Sequence, residues 1–246
     1  MPREEVLAEY YGHYYADLQG TATFDGSDRF SRHLFHVLGV TPTSTMRILD
    51  FGGGIDATLS RSLARQFVQR GTSRVEVALV DLNASCPRDW GGGITVDCYQ
   101  NLSDCAEGFD VVIASAIVEH IPYPCEIILG LLNSLRPGGR AYFRTPVMSS
   151  IVQLAARLGV KIDFTYPAHV HDMGQPFWEN LLATLDVPGF KLIRSRPSIV
   201  ETEFAAHPSR TVVAHLMKLP WVALRQHYSM VGGWEAVFAR EMRQPV

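Results

Sequence analysis

Lysine is nearly absent from this chain. Lys161, Lys191 and Lys218 are its full complement, and arginine supplies the rest of the positive charge. No Lys/Arg cluster stands out and the net charge is only −3, so nucleic acid is not expected as a partner. No apolar run approaches the roughly 20 residues needed to span a bilayer. The opening MPREEVLAEYYGHYY lacks a basic segment followed by an apolar one, and the expectation is a soluble cytoplasmic protein without a membrane partner. Cys86, Cys98, Cys105 and Cys125 form no CxxC pair, which removes the usual zinc spacing and leaves reduced thiols as the simplest account. There is no internal repeat or low-complexity segment. What remains, 47% hydrophobic and 19% charged over 246 residues, is the composition of a globular chain with one sizeable core, or one domain with an added cap.

The most informative stretch is MRILDFGGGIDATLS, residues 46–60. Ile48 and Leu49 read as the end of a buried strand closed by Asp50. Gly52, Gly53 and Gly54 then let the backbone turn sharply before Asp56 opens a helix. Strand, glycine turn and helix form a cradle for a nucleotide cofactor. A side chain in the turn would hold a ligand off the backbone amides, and the helix start offers unpaired N–H donors to an anionic group.

Along the chain, residues 6–18 suit a helix with Tyr11, Tyr14 and Tyr15 on one face, either packed on the core or laid over a ligand. A second helix is expected from Ser27 to about Leu38. After the glycine turn, residues 58–69 read as a helix, and the β-branched run 75–80 as a strand ending at Asp81, where ligands of open α/β sheets lie. Residues 94–96 make a short strand with Asp97 at its end. FDVVIAS, residues 109–115, reads as a central parallel strand. A helix at 127–135 precedes a strand at 141–143. Residues 147–174 break the alternation and read as an insertion above the ligand edge. A helix at 177–185, a strand at 190–194 and a last strand at 211–217 follow. The tail beyond residue 217 is open between core packing and a subunit contact that would make a homo-oligomer. Strands alternating with helices argue for a mostly parallel sheet with helices on both faces.

Together, ILDFGGG, VDLN, FDVVIASAIVEHIP and LRPGGRAYFRTP resemble, in order, the motifs of the class I S-adenosylmethionine-dependent methyltransferases, of the small-molecule type. The resemblance covers residues 47–217. It implies an α/β Rossmann-like sheet of seven strands in order 3-2-1-4-5-7-6 with the seventh antiparallel, and S-adenosylmethionine as cofactor. It divides the chain into a helical cap (1–45), a cofactor-binding domain (46–217) and an extension (218–246). By the same resemblance, Asp50, Gly52, Gly53 and Gly54 surround the methionine portion of the cofactor. Asp81 holds the ribose, Leu82 borders the adenine, Asp97 meets its exocyclic amine, and Ser115 lies beside the sulfonium. Where the family usually has a third glycine this chain has Asp56, which either bonds the cofactor's amino group or caps the helix.

Methyl transfer from a sulfonium is an in-line displacement, so the protein's main task is to align nucleophile and methyl group. A base is needed only where the acceptor must lose a proton. Histidine, with an ordinary pKa of about 6.5, is the first suspect. His120 follows the central strand, and His169 and His171 lie in the insertion. The last two with Asp172 also suggest metal ligands, but no further ligands accompany them and no metal is expected. Two rivals are a nicotinamide-dependent oxidoreductase, because Gly52, Gly54 and Ala57 fit GxGxxA, and a cofactor-binding regulatory protein without turnover. Against the first, no Tyr-x-x-x-Lys pair is present. The run ASAIVEHIPYP lacks the Asn/Asp-Pro-Pro-aromatic sequence of base-modifying enzymes, which favours a small-molecule acceptor, oxygen ahead of nitrogen.

Overall fold

The computed structural model describes residues 27–54, 57–82, 89–161 and 170–242. The tyrosine face of residues 6–18, Asp56, Cys86 and His169 lie outside them. Helix α1 (Ser27–Leu38) begins and ends where its spacing predicts. It is followed by β1 (Thr45–Phe51), α2 (Thr58–Val68), β2 (Arg74–Val80), the short β3 (Asp89–Gly91) and β4 (Ile94–Tyr99). Next come β5 (Phe109–Ser115), a 3-10 turn at Val118–His120, α3 (Pro124–Asn133) and β6 (Leu135–Val147). The second half holds α4 (Ser149–Arg157), α5 (Gln175–Leu185), β7 (Phe190–Pro197), α6 (Pro208–Lys218), α7 (Trp221–Leu224) and β8 (Gly232–Arg240).

The strands form one sheet in the order β3-β4-β2-β1-β5-β6-β8-β7. With the β3 edge set aside, this is the expected 3-2-1-4-5-7-6 order, and β8 runs antiparallel to both of its neighbours. The eighth strand, β3, is a three-residue addition paired antiparallel with β4. One assignment is corrected. Residues 211–217, expected as the last strand, are helix α6, and the strand is Gly232–Arg240 in the tail. Val212, Val213 and Leu216 are accordingly exposed, whereas Trp234, Ala236, Val237 and Phe238 are buried.

Helices cover both faces. On one, Phe30 and Leu34 of α1 and Leu63 and Phe67 of α2 pack over Ile48, Val77, Ile113 and Tyr142. On the other, Leu131 of α3 and Trp178 and Leu181 of α5 pack over Val112, Ala114, Phe143 and Phe238. Trp178 stacks on Phe143 at 5.2 Å between centroids and donates its indole N–H to the Met173 carbonyl at 3.0 Å. That bond fixes the end of the insertion against the sheet. Cys98 is disulfide-bonded, which corrects the expectation that all thiols are reduced, while Cys105 and Cys125 are free. Among the described residues, no helix is long and apolar enough to cross a membrane.

Candidate active site

The glycine turn is held by bonds from two directions. Gly52 N–H donates to the Val80 carbonyl at 2.8 Å, tying the turn to the end of β2, and Gly54 N–H donates to Asp81 Oδ2 at 2.9 Å. Gly52 and Gly54 have φ of +74° and +71°, a region in which an L side chain is strained. A Cβ on Gly52 would collide with the Ile117 side chain beyond β5, and one on Gly53 would meet Asp50 Oδ2 and, at 2.8 Å, Leu79 Cδ1. Among the described residues, a Cβ on Gly54 would meet nothing within 4 Å. Gly52 and Gly53 thus let the chain pack on itself, and among these residues Gly54 faces open space.

Asp50 is buried, with Ser60 of the first turn of α2 beside it favouring its charged form, while the Ser60 hydroxyl itself donates to the Ala57 carbonyl at 3.2 Å. The helix's own N-cap position, Ala57 at φ 42°, supplies no side-chain bond. Oδ2 of Asp50 is left buried against Gly53 without a hydrogen-bond partner among the described residues. Burial, reinforced by the charge of Asp81, raises the Asp50 pKa to about 6.

Asp50, the glycines, Asp81 and Ser115 come together along the carboxyl ends of the adjacent strands β2, β1 and β5. Leu82 follows Asp81 with 80% of its surface exposed. Asp97 differs from expectation: β4 continues to Tyr99, so Asp97 is an exposed mid-strand residue paired in register with Ala78, two residues short of the ligand edge.

Beyond β5, His120 lies half-buried with Nε2 3.7 Å from Glu119 Oε1. The Val170 and His171 N–H groups donate to the Glu119 carbonyl at 3.0 and 3.1 Å, and His171 Nε2 lies 3.2 Å from the Pro122 carbonyl. The insertion's end is thereby laced onto the turn that carries His120. Asp172 accepts a bond from Ser149 N–H at 2.8 Å and caps α4.

Four site residues escaped the sequence reading: Glu119, Arg144, Lys218 and Glu235. The Glu119 carboxyl is fully buried, and its pKa is raised to about 7, chiefly by burial. Arg144 is 2% exposed and sits in register with Ser115, donating from Nη1 to Ser115 Oγ at 3.3 Å. The signal was present for Glu119, Arg144 and Glu235, since each interrupts an apolar run (AIVEHI, AYFRTP, GGWEAVFA) and buried charges need a reason.

The geometry is that of a cofactor cradle at β1 and β2 beside a charged chamber at β5 and β6. A family model described as a methyltransferase domain matches residues 26–186. The chain belongs to that methyltransferase family. Similar proteins include the ubiquinone biosynthesis O-methyltransferase of Hahella chejuensis, 34% identical over 108 residues, or 40% of this chain and 42% of that protein. The namesake from Nitrosococcus oceani is 28% identical over 135 residues, 51% of this chain and 55% of that one. The chain spans about half the length of the curated relatives it matches. The solved structure of the plantazolicin methyltransferase BpumL in complex with SAH shares the fold, with a TM-score of 0.52 at 13% identity over 98% of this chain and 91% of that one. S-adenosylmethionine is thus the cofactor to fit to the methyltransferase cradle. The cradle fits it: among the described residues Gly54 leaves room beside half-buried backbone, and Asp81 at the end of β2 presents a carboxylate to a ligand that carries ribose hydroxyls, while Asp50 supports the turn from beneath.

Proposed function

We propose that this methyltransferase moves the methyl group of S-adenosylmethionine to a small-molecule acceptor, at oxygen in preference to nitrogen. The observation that carries the reading is the glycine turn itself. Among the described residues a Cβ on Gly54 would meet nothing, and the Gly54 N–H is anchored to Asp81, the residue that meets ribose in this reading. The O-methyltransferase names of the two relatives support oxygen as acceptor atom. The cofactor supplies an electrophilic methyl group on sulfur. The protein's share is to hold the acceptor in line and to take its proton. His120 is the base in this reading. It stands beyond the end of β5, and the Glu119 carboxyl 3.7 Å from Nε2 favours the imidazolium that forms on proton transfer. His171 spends Nε2 on a backbone carbonyl and is left as a second candidate through Nδ1, and His169 is the third. The Cys98 disulfide weighs against the cytoplasm, where such bonds are rare.

Calorimetric titration with S-adenosylmethionine, S-adenosylhomocysteine and NADH in parallel tests the proposal. Micromolar binding of the two sulfur nucleotides and no response to NADH is expected. Binding of NADH alone would transfer the site to the GxGxxA oxidoreductase reading. Tight cofactor binding with no labelled methyl passed to any acceptor would leave a regulatory protein.

A further inference from the structure

The carboxyl ends of β5, β6 and β7 gather more buried charge than methyl transfer requires. Glu235 of β8 is fully buried and spends its carboxylate on four donors: His33 Nε2 at 2.7 Å, Tyr142 Oη at 3.2 Å, Arg194 Nε at 3.0 Å and Arg196 Nε at 3.1 Å. Lys218, at the end of α6, rests its ammonium on two neutral oxygens, the Ser198 carbonyl at 2.6 Å and the Ser198 hydroxyl at 3.2 Å. Burial and the nearby Arg144 guanidinium push its pKa down to about 7. Arg144 is the deepest cation of the group and the one beside Ser115.

Buried Glu119 and Glu235 both favour the charged Arg144, but one ion-pair partner of Arg144 is of a different kind from them. Its Nη2 pairs with Glu201, whose side chain is 40% exposed. Glu201 belongs to a strap held on both sides. Arg29 of α1 donates to the Val200 and Thr202 carbonyls and pairs with Glu203, Ser198 N–H bonds the Gly233 carbonyl, and the Thr202 and Thr211 hydroxyls lie 2.8 Å apart. Between these anchors Glu201 reaches in from solvent to a guanidinium that is closed off from it.

A buried guanidinium is strongly destabilising without a counter-ion, and its planar fork is best matched by a carboxylate. Were neutralisation the whole purpose, an enclosed carboxylate would serve, as Glu235 does for its donors. A solvent-reaching one is exchangeable for a ligand of the same chemistry. Resting on the methyltransferase reading, which puts the reacting methyl near Ser115, we propose that the acceptor carries a carboxylate and that Arg144 binds it in place of Glu201. Glu201 is the stand-in that occupies the Arg144 guanidinium between turnovers.

The test uses benzoate and its uncharged analogue benzamide as probes, at pH 7.5 and constant ionic strength, read by thermal unfolding. In Glu201→Gln, benzoate should raise Tm saturably and benzamide should not. Half-saturation should fall at a benzoate concentration at least tenfold lower than in the wild type, where Glu201 competes. The response should vanish in the Arg144→Gln/Glu201→Gln double variant. Equal effects of benzoate and benzamide on Glu201→Gln, or a benzoate response that survives loss of Arg144, would overturn the proposal. If Glu201→Gln does not fold, Glu201→Asp, which keeps the charge but shortens its reach, provides the same comparison. Binding of S-adenosylhomocysteine to the wild type, measured separately, reports on the methyltransferase reading: its absence sinks that reading, whereas its presence beside a failed benzoate arm sinks only the carboxylate.

Discussion

Asp50 is asked to be charged by Ser60 and neutral by its surroundings, and burial wins. Its pKa rises from 3.8 to about 6. Stability from a raised carboxyl is complete below the unfolded value and is lost as pH climbs through the folded one, here between about 4 and 6, to the extent of about 3 kcal/mol. Glu119, raised to about 7, acts with the same sign. Lys218, lowered to about 7, acts with the opposite sign and penalises acid. In denaturant unfolding of the ligand-free protein, Asp50→Asn should flatten the fall in stability between pH 4 and pH 6, and a slope identical to wild type would show that the Asp50 pKa is not raised on folding. The glycines separate folding from binding. Gly53→Ala must displace Asp50 or Leu79 and should lower stability by about 1 to 3 kcal/mol. Gly54→Ala meets no atom of the described residues and pays only its positive φ, about 1 to 2 kcal/mol, while a methyl group there narrows the space left for cofactor. Calorimetry should show a larger loss of S-adenosylhomocysteine affinity in Gly54→Ala than its stability loss accounts for. Asp81→Ala should weaken the same binding by about 1 to 3 kcal/mol, since it removes the ribose partner and frees Gly54 N–H together.

At the scale of elements, β1, β2, β5 and α1 were legible because their apolar periodicity and their punctuation agree. The two segments that exchanged identities show where that agreement fails. RTVVAHLM has the β-branched density of a strand, yet it forms helix α6, begun at Pro208, a residue that suits a helix's first turn. Its valines are exposed, and Thr211 is buried with its hydroxyl 2.7 Å from the His207 carbonyl. GGWEAVFAR reads as a loose tail because two glycines precede it and a glutamate interrupts it. In the sheet, Gly233 is required, since a Cβ there would press on the Ser198 hydroxyl, and Glu235 is the acceptor of four donors. Propensity lost to tertiary context in both segments. A single substitution type distinguishes them: Val213→Lys on the exposed face of α6 should change stability by less than about 0.5 kcal/mol. Val237→Lys, buried in β8, should abolish cooperative unfolding in circular dichroism melts. Equal tolerance at both positions would contradict the sheet assignment.

For the whole molecule, the division of labour follows the sheet order. The cofactor half of the site, at β1 and β2, comes from contiguous stretches and could be read from MRILDFGGG and VDLN. The charged chamber proposed for the acceptor could not, because Glu119, Arg144, Glu201, Lys218 and Glu235 are scattered over more than a hundred residues and meet only once β8 has slotted between β6 and β7. That strand closes the chain's last long-range connection. Eight residue pairs join it to β6 and seven to β7, and its inner residues Trp234, Ala236 and Phe238 complete the core over Phe143 and Trp178. A C-terminal segment that was only an extension would be dispensable, whereas β8 is interior. Removing residues 232–246 would leave β7 and the outer edge of β6 unpaired and strip Arg194, Arg196, Tyr142 and His33 of their common carboxylate. The truncated chain should lose its cooperative thermal transition and its binding of S-adenosylhomocysteine together, although every residue of the cofactor cradle is retained. Retention of either property would mean that the β1 to β6 half folds without the strand that completes the sheet.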